Sequence, residues 1–268
     1  MASLEMNLYS SSLMMDTTLN ILLPEKKHAV GQDDGRSSYP VLYLLHGYGD
    51  NYSAWMRKSN IEYIARDYDV IVVMPEGNNG FYVNGENGPD YLTYLAEELP
   101  QKMARYFPIA TERKDTFIMG NSMGGYGAFR AALAYPDRYA AAVSFSGALV
   151  MRREDLIFGG EKNGFLRDYI LHVGEWGTEQ AEKNDLCLLA EKLETGQEEK
   201  PRLFHVCGTE DALTYQAGRR FVDFCRKNTS LDLTYLETEG GHNWGLWTPL
   251  IPKAFAFLGL EPYETVKY

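Results

Sequence analysis

The chain has 268 residues, 45% of them hydrophobic and 24% charged, with a formal net charge of −11. Such acidity argues against a nucleic-acid partner and against an anionic membrane surface, because both need a basic face. Cys187, Cys207 and Cys225 are too few and too widely spaced for a disulfide framework or a zinc site, so no metal is expected.

The opening MASLEMNLYSSSLMMDTTLNILLPEKK has no basic stretch and no long apolar core, so it does not read as a signal peptide. No apolar run approaches the ~18 residues of a membrane span. Free thiols without a leader make a cytoplasmic location the expectation. TLNILLP (18–24) and PVLYLLHG (40–47) are the first clear strands, and the polar EKKHAVGQDDGRSSY between them reads as a surface hairpin loop. SAWMRKSNIEYIARDY has helical periodicity in its latter part. DVIVVMP (69–75) is a continuous β-branched run, suited to a strand buried on both faces. YLTYLAEELPQKMARYF is an amphipathic helix that Pro100 is expected to kink or divide. DTFIMG (115–120) is a short strand, GGYGAFRAALAYP a helix ending before Pro136, and YAAAVSFSGAL the next strand.

From 150 to 200 the pattern blurs into a glycine-bearing excursion followed by a helix over EQAEKNDLCLLAEKLE. PRLFHVCG and LDLTYLETEG then read as strands, TYQAGRRFVDFCRKN and TPLIPKAFAFLGL as helices. This alternation predicts the α/β class, with a mostly parallel sheet and helices on both faces. The expectation is one domain over 1–268, with 150–200 as a cap or pocket wall.

Between strand and helix stands GNSMG, a G-x-S-x-G pattern around Ser122. On its own the pattern is weak. Placed after a strand and before a helix, it predicts a sharp turn that lifts the serine hydroxyl above the sheet and aims the Met123 N–H at an oxygen beside it. A serine needs a base to take its proton. Five histidines are available: His28, His46, His172, His205 and His242. His28 falls in the polar loop and His205 inside a strand, where it reads as a satisfied core or surface residue. His172 has no clear context. His242, in EGGHNWG after the last strand, is in place to reach the carboxyl edge of the sheet and is the expected base. The base needs an acid, and HVCGTEDAL offers Glu210 and Asp211 just past a strand. Asp211 is favoured, with Glu210 as the fallback. The loop LLHGYGDN offers the Tyr48 N–H as the candidate second oxyanion donor, with His46 shaping the loop, against the alternative of a plain strand-to-helix turn. Trp55, Trp176, Trp244 and Trp247 are candidate walls for a substrate, against the alternative of core packing.

Taken together, YPVLYLLHGYGDN, VVMPEG, EELP, FIMGNSMGGYGAFRAAL, VSFSGAL, CGTEDAL and GGHNW resemble the α/β-hydrolase esterases of the esterase D group, the tributyrin esterase type in particular. That branch is related to S-formylglutathione hydrolases, feruloyl esterases and acetyl esterases. The resemblance runs from about 6 to 258. It implies the α/β-hydrolase fold, with Ser122 as nucleophile, Asp211 as acid, His242 as base, and Tyr48 and Met123 as oxyanion donors. The implied activity is a serine carboxylesterase acting on small-molecule short-chain acyl or feruloyl-type esters, with no cofactor. An S-acylglutathione thioesterase, peptidase or acyltransferase is the alternative, and a non-catalytic binding protein the third class. Homo-oligomerisation stays open. The elbow in that branch commonly carries Leu before the serine; here Asn121 stands there.

Overall fold

Successive residues of a strand face opposite sides of its sheet. In the strand over 41–45 both sides are apolar: Val41, Tyr43 and Leu45 enter one core, Leu42 and Leu44 another. A sheet of such strands needs a covering layer on each face. The computed structural model, which describes residues 1–25, 37–86, 88–156 and 164–262, has that layered build.

Its strands are β1 (Ala2–Ser10), β2 (Met15–Leu23), β3 (Val41–Leu45), β4 (Ile71–Pro75), β5 (Thr116–Asn121), β6 (Ala141–Phe145), β7 (Arg202–Gly208) and β8 (Leu233–Thr238). They form one sheet in the order β1-β2-β4-β3-β5-β6-β7-β8. β1 and β2 pair antiparallel, β2 meets β4 antiparallel, and every pairing from β4 to β8 is parallel. The helices are α1 (Ala54–Lys58), α2 (Ile61–Ala65), α3 (Tyr91–Thr93), α4 (Leu99–Tyr106), α5 (Met123–Ala134), α6 (Arg153–Leu156), α7 (Gly164–His172), α8 (Glu179–Lys183), α9 (Leu186–Thr195), α10 (Tyr215–Asn228), α11 (Trp244–Trp247) and α12 (Ile251–Leu258). Trp55 of α1, Ile61 of α2 and Phe255 of α12 cover one face, against Leu42, Leu44 and Met119. Phe129 of α5, Leu193 of α9 and Phe221 of α10 cover the other, against Tyr43 and Ile118.

The strand order fixes where a ligand can sit. From β3 the chain moves outward to β4, then returns to β5 on the other side of β3 and continues toward β8. The loops leaving β3 and β5 therefore diverge, and the crevice between them is the natural binding place in an open parallel sheet. The loop with Gly47 and Tyr48 leaves β3; Ser122 follows β5.

Several expectations change. β1 was not foreseen: its inward face offers only two apolar residues, Met6 and Leu8, before the buried Ser10, as befits an edge strand covered on one side. β2 and β3 are not a hairpin, because β4 and not β3 lies beside β2; most of the loop expected between them, with His28, lies outside the described residues. Pro100 does not divide its helix. A π-helical turn over Tyr94–Glu98, in which the Leu99 N–H reaches Tyr94 O, joins α3 to α4 and sets the proline in the first turn of α4, where its missing N–H costs no bond. The helix expected over 179–194 is two, α8 and α9, because the Asp185 side chain caps a new start by accepting from Cys187 and Leu188 N–H.

Candidate active site

Ser122 has φ +55° and ψ −118°, a conformation that side chains seldom adopt and that costs on the order of 1–3 kcal/mol. Backbone bonds hold it there: Ser122 N–H donates to Phe145 O at 2.8 Å, and Ser122 O accepts from Tyr126 N–H at 3.1 Å. Close approach makes the corner possible. A Cβ on Gly124 would stand 2.5 Å from Leu45 O, and one on Gly120 would stand 2.4 Å from Gly124 O. Gly125 lets α5 approach Ser144 of the sheet, where a Cβ would come within 2.6 Å of the hydroxyl. At Gly127 the missing Cβ makes room for the Tyr82 ring, 2.5 Å away.

His242 comes from the loop after β8. That loop rests on the end of β7, where Glu210 N–H donates to Gly240 O at 3.0 Å. Gly240 turns with φ +128°, a value that favours glycine. His242 Nε2 lies 2.9 Å from Ser122 Oγ, and its Nδ1 lies 2.8 Å from Asp211 Oδ2. A carboxylate only accepts, so Nδ1 carries the proton and Nε2 is left to accept from the serine hydroxyl. Of the two acidic candidates, Glu210 is exposed and Asp211 is 1% exposed and bonded to the histidine.

Asp211 is held from several sides. Oδ1 accepts from Leu213 N–H at 3.1 Å and Thr214 N–H at 2.9 Å; Oδ2 also accepts from Thr214 Oγ at 2.8 Å. Burial alone would raise its pKa, but the His242 bond and charge and the Thr214 donors outweigh burial and bring it down to about 2. The thiol of Cys207, 3.7 Å from Oδ2, is pushed up to about 12 by burial and by the Asp211 charge, so it stands as a neutral neighbour.

Ser122 and His242 open into a cleft of about 200 Å³, walled by Tyr48, Asp50, Asn121, Trp244 and Trp247. Met123 opens α5, so its N–H is among those with no acceptor inside the helix. Asn121, 2% exposed, fills the floor beside Gly47: a Cβ there would come within 2.9 Å of Asn121 Nδ2, and Asn121 Oδ1 is buried without a hydrogen-bond partner. His46 shapes the loop as expected, with Nδ1 against Gly47 O at 2.9 Å and Nε2 against Glu76 at 3.1 Å. A larger hollow of about 930 Å³ lies between α5 and α9 and contains none of these residues; chemistry, not size, marks the site.

The tryptophans divide. Trp244 and Trp247 line the cleft, and the Trp247 ring stands edge-on to His242 at 5.1 Å and 89°. Trp247 is fixed by its indole N–H, which donates to Ser146 Oγ at 3.1 Å. Trp55 does not line it: it is fully buried, donates to Leu45 O at 2.9 Å, and backs Trp244 from behind. Nor does Trp176, which stacks on Tyr169, donates to Met151 O, and borders a separate hollow of about 280 Å³. His205 is core, as read, but only half satisfied. Nδ1 donates to Ser144 O at 3.2 Å while Nε2 has no partner, and burial lowers its pKa to about 4. Thr214, Asp50 and Ser146 were not foreseen. DALT, an aspartate followed by threonine at a helix start, was the one available signal, for Thr214.

Residues 10–258 match a protein-family model described as "Putative esterase". An acetyl esterase of Caldicellulosiruptor saccharolyticus is 33% identical over 263 residues, spanning 96% of this chain and 98% of the relative. Among solved structures, the substrate-bound fluorophosphonate-binding serine hydrolase FphF of Staphylococcus aureus superposes with a TM-score of 0.84 at 27% identity, over 96% of this chain and 98% of the other. The S-formylglutathione hydrolase FrmB of the same organism, an apoenzyme, superposes with a TM-score of 0.82 at 27% identity over the same shares.

Proposed function

The chain belongs to the esterase family, and on that premise we propose that Ser122, His242 and Asp211 are the catalytic triad of a serine ester hydrolase with the α/β-hydrolase fold. One observation carries the assignment: a single imidazole bridges Asp211 at 2.8 Å and Ser122 at 2.9 Å. His242 Nε2 takes the Ser122 proton as Oγ attacks the ester carbonyl. The N–H groups of Tyr48 and Met123 receive the oxyanion, and Asp211 stabilises the imidazolium. His242 returns the proton to the departing alcohol, leaving an acyl-enzyme. Water, activated by the same nitrogen, then releases the acid.

The substrates are small-molecule carboxylic esters with a short acyl chain. A cleft of about 200 Å³ closed by Trp244 and Trp247 supports that choice. A thioester of a one-carbon acyl group would fit the same cleft, and likeness to an S-formylglutathione hydrolase keeps that second reading in view. Within one domain, α7 of the 150–200 stretch serves as a support behind the Tyr48 loop rather than as a wall of the cleft, whose lining includes no described residue of that stretch; the bond of Tyr48 to Asp168 supports this. The test is kcat/KM for p-nitrophenyl acetate, butyrate and octanoate, methyl ferulate and S-formylglutathione. Acetate and butyrate should exceed octanoate by at least about 10-fold. A lead of that size for S-formylglutathione or methyl ferulate would replace the short-chain assignment.

A further inference from the structure

Asp168 belongs to α7, outside the triad, yet its carboxylate meets the loop that leaves β3. It is 7% exposed. Oδ2 accepts from the Tyr48 hydroxyl at 2.8 Å and, more loosely, from Asn79 Nδ2 at 3.5 Å. Asn79 Oδ1 in turn accepts the Gly49 N–H at 2.9 Å. The other carboxylate oxygen, Oδ1, is gripped by Arg167 Nε and Nη2, each at 2.8 Å. Two consecutive loop residues, Tyr48 and Gly49, are thus tied to one carboxylate. The Tyr48 ring packs on Phe81 and Phe165, at 6.1 and 4.7 Å. Burial and the Asp168 bond push the phenol up to about 12, so it stays protonated and donates. Gly49 itself is exposed with φ +74°, so at that residue the Asn79 bond, not packing, ties the loop.

We propose that Asp168 is a positioning residue for ester hydrolysis, holding the β3 loop so that the Tyr48 N–H points at the developing oxyanion. The proposal rests on the reading of Tyr48 as an oxyanion donor. Such a donor acts only when it is already in place as charge develops, and a displacement of about 1 Å can cost on the order of 100-fold. Asp168 touches no reacting atom; it acts through the Tyr48 side chain on the Tyr48 backbone.

The test compares Asp168→Ala, Tyr48→Phe and the double variant on p-nitrophenyl acetate. Each single change should lower kcat about 10- to 100-fold with KM nearly unchanged, since the lost interaction belongs to the transition state. The double variant should be no worse than Asp168→Ala, because the bond that Tyr48→Phe removes is already lost when Asp168 is gone. Inhibition by a trifluoromethyl ketone, whose hemiketal oxygen occupies the oxyanion position, should weaken by the same factor as kcat/KM. Tyr48→Phe keeps the ring and its packing, so it carries the test if Asp168→Ala does not fold. A loss confined to KM, an unchanged ketone affinity, or losses that multiply in the double variant would overturn the proposal. Fluorophosphonate labelling of the wild-type protein separates the two levels. Without a label on Ser122 the underlying site reading fails; with that label and unaffected variants, only the role of Asp168 fails.

Discussion

At the scale of single residues, burial and hydrogen bonds favour Asp211 over Glu210 as the acid of the proposed triad. Asp211 is enclosed and accepts four short bonds from Leu213, Thr214 and His242; Glu210 is exposed. Asp211→Asn keeps the shape but can no longer hold the Nδ1–H tautomer, so kcat should fall by about 10⁴-fold, measured on p-nitrophenyl acetate. Glu210→Gln should leave the rate nearly unaltered, and a comparable loss there would reverse the assignment. Ser122, His242 and Asp211 were legible in the chain because each lies in a short loop just past a strand, where glycine spacing and chain order carry information. The tryptophans were not. Trp55 and Trp244 stand 4.8 Å apart, and only tertiary packing decides that one is behind the wall and the other is the wall. Asp168 was illegible for the same reason: its partner Tyr48 is 120 residues away.

At the scale of elements, the corner between β5 and α5 is the costly piece. Its strained serine is tolerated because β3, β5 and α5 approach so closely that Gly120 and Gly124 have no room for a side chain. Gly124→Ala would drive a Cβ into the carbonyls of Leu45 and His46, backbone atoms that cannot swing aside. We expect a stability loss of about 3 kcal/mol, read from the urea midpoint, together with loss of activity as the serine and the β3 loop move apart. A variant with wild-type stability and rate would contradict this account of the corner. The strands other than β1, and the long helices α5 and α10, were readable from their periodicity. The 150–200 stretch was not, because α6 has four residues and α8 five, barely more than one helical turn each.

At the scale of the molecule, topology does the assembling. β3, β5, β7 and β8 are parallel, so the loops that carry Tyr48, Ser122, Asp211 and His242 leave the same edge of the sheet. None of those four is near another in sequence, and one strand order brings them together. A chain of alternating strands and helices announces such a sheet, but the order within it, with β4 outside β3, sets the crevice, and that order is not written in any local pattern. The central claim is that Ser122 attacks the ester. Its most direct test is the rate of p-nitrophenyl acetate hydrolysis by Ser122→Ala. The account predicts a fall in kcat on the order of 10⁴- to 10⁶-fold with the fold intact; turnover at the wild-type rate would contradict it.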